Sequence, residues 1–449
     1  MKLTRDFEDR GYLGKSLKIF KEPFPSSKTK NTANQILREL FLKPYMPSKE
    51  LCRKFDISKE DLKRIYAIIR TSREARKLFE FSPYYYLTKV LENLSKDSVR
   101  TSRILKGERP FPLAETMELF ISENCNAKCK FCYRNGKIYD ERRVLSTQEY
   151  MNLINEFADL GGQNLDVSGG LEPLLSPSVT EVLKTGLSRD LKVNLYTNGI
   201  ALNKPNIVDC LMKISRVRVS LNAYDRDSYR EIMGVDRFSI VTNNLRDLVR
   251  AKKASNSIVR IGTSYVVFKE NYKGILEAVK LAQKLGLGFF DLRSVEVTDS
   301  GDFDEKQRKE LASILRQIRE KSLSGAYGKL SISVADTFNS IIDPDDGYMK
   351  YLKKDLVNAL RYFRLTVTPH GRIYALNLIG QPSKEDNRYL LGEIGEHARL
   401  PDILLHRKTI PFVPESLLSH DITLVSALSK LESELEFGIG LKENPFNWD

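Results

Sequence analysis

An α/β fold built on a parallel sheet is what residues 111–300 predict, set between a helical, basic segment (1–110) and a mixed third region (301–449). Short β-rich runs alternate there with helical periodicity, and turn or capping residues mark the boundaries. Three of the five cysteines stand together directly after the first β-rich run. A chain of 449 residues that is 41% hydrophobic has core enough without covalent staples, so the cysteines read as reduced thiols rather than a disulfide framework.

Residues 1–110 look helical. From Thr32 to Phe41 the apolar positions Ile36, Leu37, Leu40 and Phe41 share one face, Pro44 and Pro47 end the run, and Ser48 and Ser58 suit helix N-caps. The stretch Lys49 to Leu62 resembles a helix-turn-helix without the usual turn glycine, and Cys52 within it reads as a buried apolar residue. The net charge of +13 is concentrated here: residues 1–110 hold 26 Lys and Arg against 14 Asp and Glu. Such an excess suits either solvated helix faces or an anionic partner, which keeps a nucleic-acid-binding protein as one alternative reading.

Six strands are expected next, over Met117–Ile121, Asn164–Val167, Lys192–Tyr196, Arg216–Leu221, Val259–Phe268 and Phe289–Val297. The clearest intervening helices are Thr147–Leu160, opened by a capping box from Ser146 to Glu149, and Tyr272–Leu285, ended by Gly286. Cys210 falls in a helical run, Ile207–Ile214, and is read as core. Beyond 300, a charged helix over Glu305–Ser322 precedes a hairpin, Tyr362–Leu376, with Pro369-His370-Gly371 at its turn. No apolar run approaches the ~20 residues of a membrane span, and the amino terminus lacks the apolar stretch of a secretory signal, so a cytoplasmic location is expected.

Chemistry concentrates in Glu123-Asn124-Cys125-Asn126-Ala127-Lys128-Cys129-Lys130-Phe131-Cys132. Three thiolates within eight residues can hold three corners of an iron-sulfur cube and leave the fourth iron without a protein ligand. Structural zinc wants four ligands, and the four histidines, His370, His397, His406 and His420, all lie far along the chain. The run C-x3-C-x-aromatic-C, with Phe131 in the aromatic place, resembles the radical S-adenosylmethionine (radical SAM) enzymes. Further elements follow in the order of that family: Ser168-Gly169-Gly170-Leu171-Glu172-Pro173, with Leu171 inserted before the glutamate; Tyr196-Thr197-Asn198-Gly199; and Val219-Ser220-Leu221-Asn222.

The resemblance implies a partial (β/α)6 TIM-like barrel with a helical N-terminal domain and an α+β C-terminal cap. It implies one 4Fe-4S cluster on Cys125, Cys129 and Cys132, and S-adenosyl-L-methionine cleaved to a 5'-deoxyadenosyl radical that abstracts hydrogen from substrate. The cofactor would be held by Phe131, Gly169, Gly170, Glu172, Asn198, Ser220, Asn222 and Arg293. An electron donor such as flavodoxin or ferredoxin would be required. The hairpin resembles the SPASM or twitch extension of such enzymes, with Ala375 where a cysteine for an auxiliary cluster would stand, and no cysteine follows Cys210. A lone cluster favours redox-neutral elimination, rearrangement or epimerisation of a small, nucleotide-linked, aminosugar-like substrate. The alternative within the same family is a maturase of a ribosomally made peptide, with 1–110 binding its leader. No side chain can be assigned to the substrate from the sequence.

Overall fold

The computed structural model describes residues 27–79, 85–106, 114–132, 143–168, 170–203, 205–294, 303–335, 338, 341, 364–374, 390–395, 398–405 and 422–448. By internal contacts the chain forms two units: Met1–Phe111 with Ala335–Ala359 and Asp421–Asp449, and Pro112–Val334 with Leu360–His420. This division cuts the third region read from the sequence between both units.

The first unit is helical among its described residues. Its helices run Ser27–Leu42, Ser48–Phe55, Lys59–Thr71, Arg73–Phe79, Tyr85–Lys96, Ser98–Leu105 and Ile422–Phe437. Ile36, Leu37, Leu40 and Phe41 are buried, as their spacing predicted. Ser58 caps the third helix by accepting from the Asp61 N–H. Ser48 does not act as a cap: Pro47 holds that position, and the Ser48 N–H donates to Glu434 Oε1 at 3.0 Å. Between the second and third helices Asp56 adopts the left-handed conformation (φ 49°) that a glycine would otherwise supply. Cys52, expected in the core, is half-buried with its Sγ 3.7 Å from the Ser58 carbonyl.

In the second unit the ten described strands form one sheet: β1 (Thr116–Phe120), β2 (Asn164–Ser168), β3 (Lys192–Thr197), β4 (Arg216–Ser220), β5 (Arg260–Val267), β6 (Phe289–Ser294), β7 (Ser331–Val334), β8 (Arg364–Val367), β9 (Arg372–Tyr374) and β10 (Leu390–Glu393). Their order is β10-β9-β8-β1-β2-β3-β4-β5-β6-β7. Every neighbouring pair from β8 through β7 is parallel, while β8–β9 and β9–β10 are antiparallel. This is the mixed α/β fold expected, a parallel sheet with N-terminal helices and C-terminal antiparallel strands. The hairpin also extends the sheet, since β8 lies alongside β1.

Period-two alternation gives the sheet two unlike faces. Met117, Leu165, Val193, Val217, Ile261 and Leu365 share one face and are at most 1% exposed. The other face carries Glu118, Asp166, Asn194, Tyr196, Arg216, Arg218, Ser220, Ser264, Asp291 and Arg293. The helix Thr147–Asp159 begins at the predicted capping box, with Ser146 accepting from the Glu149 N–H. Gly286 follows the helix Ile275–Lys284 with φ 72°.

Candidate active site

The cysteine loop leaves the carboxyl end of β1, and neighbouring loops hold it at both ends. On one side the Glu172 N–H donates to the Asn124 carbonyl at 2.9 Å. On the other, the N–H groups of Lys128 and Lys130 donate to the carbonyls of Met233 and Ile232, each at 2.9 Å. Those carbonyls belong to the last turn of the helix Arg226–Met233, which Gly234 ends in the left-handed conformation at φ 67°. A Cβ on Gly234 would lie 2.3 Å from the Lys128 carbonyl oxygen, so the close approach requires glycine. Cys129 Sγ stands 3.7 Å from Met233 Sδ, and the Phe131 ring packs 5.7 Å from that of Phe268.

The glycine loop and the Thr-Asn-Gly turn meet through Glu172. Its carboxylate, 2% exposed, accepts from the Leu174 N–H (3.0 Å), the Thr197 hydroxyl (2.6 Å) and the Asn198 N–H (2.7 Å). Leu171, inserted before it, therefore accompanies a glutamate that binds backbone. Asn198 reaches the cysteine loop, donating to Asn126 Oδ1 at 2.7 Å with its Nδ2 3.8 Å from Cys125 Sγ. Gly199 has φ 80°, and a side chain there would strike Val219. Gly170 is buried beside this group, whereas Gly169 lies outside the described residues, as does Ala375.

After β4, Asn222 is fully buried with φ 55°. Its Oδ1 accepts from the Val266 N–H at 2.9 Å and its Nδ2 stands 3.5 Å from Met233 Sδ. Both ends of the Asn222 amide thus have partners within the protein. Ser220, at the end of β4, is half-buried, and Arg293 points from β6 to the same face of the sheet. His370, at the hairpin turn, approaches Glu123 Oε1 to 2.8 Å and so ties β8–β9 to the start of the cysteine loop.

The three thiols feel one another. Burial raises the Cys129 thiol strongly, with Cys132 and Cys125 adding to it, and burial likewise raises Cys125. Three soft donors on one loop fit an iron-sulfur cluster better than a hard cation. Among the described residues no three His, Cys, Asp or Glu side chains form a ready-made metal cage.

Sequence reasoning missed the charged layer beneath this site. Arg364 pairs with Glu118 at 3.1 Å and Asp166 at 3.2 Å, and Arg216 pairs with Asp291 at 2.5 Å. Arg218 lies over the Tyr196 ring at 4.0 Å. Burial, then Asp166, pushes the Tyr196 phenol up to about 12. The signal was present in Arg216-Val217-Arg218-Val219-Ser220, whose alternation puts both arginines on the face of Ser220.

Comparison with known proteins agrees with this geometry. Residues 119–282 match the model of the Radical SAM superfamily. A probable GTP 3',8-cyclase of Saccharolobus islandicus is 26% identical over 226 residues, covering 47% of this chain and 70% of its own. The dTDP-4-amino-4,6-dideoxy-D-glucose ammonia-lyase of Streptomyces venezuelae is 22% identical over 378 residues, covering 80% of this chain and 77% of its own. Among solved structures, Streptococcus suis SuiB bound to precursor peptide SuiA shares the fold with a TM-score of 0.52 at 16% identity, over 69% of each chain. The match at residues 119–282 begins in β1 and takes in the cysteine loop, the glycine loop and the Thr-Asn-Gly turn; this segment is a Radical SAM superfamily domain, and the chain that carries it is an enzyme.

Proposed function

We propose that this enzyme acts on a nucleotide-linked, aminosugar-like small molecule, by elimination, rearrangement or epimerisation, with one 4Fe-4S cluster on Cys125, Cys129 and Cys132. The observation that carries the substrate class is the reach of the ammonia-lyase relative, whose similarity runs over 80% of the chain, well beyond the 119–282 domain. When bound, the cluster and S-adenosylmethionine supply the one-electron chemistry that opens the carbon-sulfur bond.

The chain's own residues bind, orient and seal. Gly170 and the half-buried Ser220 offer backbone and hydroxyl groups to the cofactor at the strand ends. Asn198 sets the start of the cysteine loop through Asn126. Glu172 acts by fixing the two turns in register, a positioning role in place of the direct contact expected from the sequence. Phe131 presents its backbone beside the adenine while its ring anchors the loop on Phe268. Arg293 serves the cofactor's carboxylate from β6.

The test is anaerobic reconstitution followed by deoxyadenosine release, with flavodoxin or ferredoxin as donor and a panel of nucleotide sugars and peptides. A nucleotide aminosugar is expected to raise release above the substrate-free rate; stimulation by peptides alone would refute the substrate class. Alanine at Cys125, Cys129 or Cys132 should abolish the cluster's visible absorption and all cofactor cleavage, and iron content equal to that of the parent would refute their role.

A further inference from the structure

On the inner face of β1–β8, leaving aside the exposed rim residues Lys192 and Arg260, the described residues place four arginines, 216, 218, 293 and 364, against three carboxylates, Glu118, Asp166 and Asp291. Arg364 engages Glu118 and Asp166, and Arg216 engages Asp291, which also accepts from the Ser333 hydroxyl at 2.6 Å. Arg218 is left without a carboxylate partner among the described residues. Its Nε is sealed from solvent with no hydrogen-bond acceptor, and its guanidinium lies over the face of Tyr196. Burial, then the nearby Arg293, lowers its affinity for its proton. A guanidinium Nε buried without an acceptor costs stability unless a partner satisfies it.

We propose that Arg218 is the anchor of an anion-binding subsite inside the sheet that takes the phosphate or diphosphate of the substrate. This rests on the nucleotide-linked reading of the substrate and names the residue that reads it. Depth separates the subsite from the cofactor. Ser220, the cysteine loop and the Thr-Asn-Gly turn lie at the carboxyl ends of their strands, whereas Arg218 is the next inward position on β4, about 6–7 Å deeper at the rise of a strand. The planar fork of a guanidinium matches two phosphate oxygens at once. On the neighbouring strand Arg218 faces Gly262, which the Phe289 ring covers, since a Cβ there would meet that ring at 2.4 Å; Arg216 stacks on the same ring at 3.9 Å.

The experiment measures inorganic pyrophosphate binding to the reconstituted holoenzyme by calorimetry, with S-adenosylmethionine at saturation. Wild type is expected to bind at millimolar concentrations or below, and Arg218→Met to bind about tenfold or more weakly. Arg218→Lys keeps the charge on a flexible stem, folds if the methionine variant does not, and is expected to lose part of the affinity. Absence of binding by wild type, or equal affinity in both variants, overturns the subsite. Competition between pyrophosphate and S-adenosylmethionine also overturns it, by placing Arg218 at the cofactor's carboxylate. Pyrophosphate binding through Arg218 in an enzyme that no nucleotide sugar stimulates supports the subsite and overturns the nucleotide-sugar reading instead.

Discussion

Glu172 shows how one side chain can join two loops of a site. Two of the donors to its carboxylate are backbone N–H groups, and they belong to two different turns. A glutamine there keeps the shape but replaces one acceptor oxygen by a donor, which must face an N–H or hydroxyl in a buried place. Glu172→Gln should therefore cost about 2–3 kcal/mol of stability and weaken cofactor binding as the Thr-Asn-Gly turn shifts. Chemical denaturation of the iron-loaded protein reads the first effect and S-adenosylmethionine titration the second. A loss below about 0.5 kcal/mol with unchanged binding would show that the turns hold without it. The motif was legible in the sequence, but the role was not, because a spacing of residues says nothing about which donors converge on a carboxylate once it is buried.

The helix Arg226–Met233 is the element on which the cysteine loop leans. Its last two carbonyls accept from Lys128 and Lys130, and the left-handed Gly234 lets the loop close over them. Alanine at 234 pays twice: φ 67° disfavours any side chain, and the Cβ meets the Lys128 carbonyl. Gly234→Ala is expected to fold with its strands intact yet retain less iron after reconstitution, measured as iron and sulfide per chain. Full iron loading would show that the loop is set by β1 and Asn198 alone. Elements defined by local pattern were readable in advance, among them the six strands β1–β6, the Ser146 box and the hairpin turn at Gly371. What escaped was pairing at long range. Ser331–Val334 is a short run of small and apolar residues, and nothing in Arg364–Val367 says that it joins the β1 edge.

At the scale of the whole molecule, the first unit is assembled from stretches distant in sequence, which the periodicity of residues 1–110 could not reveal. The helix Ile422–Phe437 brings Lys430 and Glu434, both with fully buried side chains, 2.5 Å apart. Glu434 also accepts from the Ser48 N–H, and Lys430 donates to the Met46 carbonyl. Ser48 Oγ in turn meets Tyr66 OH at 2.7 Å, while burial, with Glu434 adding to it, raises the Tyr66 phenol well above its usual range. The pair thus ties the start of one helix and the preceding turn to a segment almost four hundred residues later. Removing one partner strands the other's charge in the core, and Glu434→Ala should destabilise this unit by about 3–5 kcal/mol. Replacing both with apolar residues, as in Lys430→Met with Glu434→Leu, removes the stranded charge and should recover most of that loss, at the cost of the bonds to Ser48 and Met46. Native-state hydrogen exchange over the helices Ser48–Phe55 and Lys59–Thr71 distinguishes the two variants. Equal protection in both would mean that packing of the apolar residues, not the ion pair, holds the two ends of the chain together.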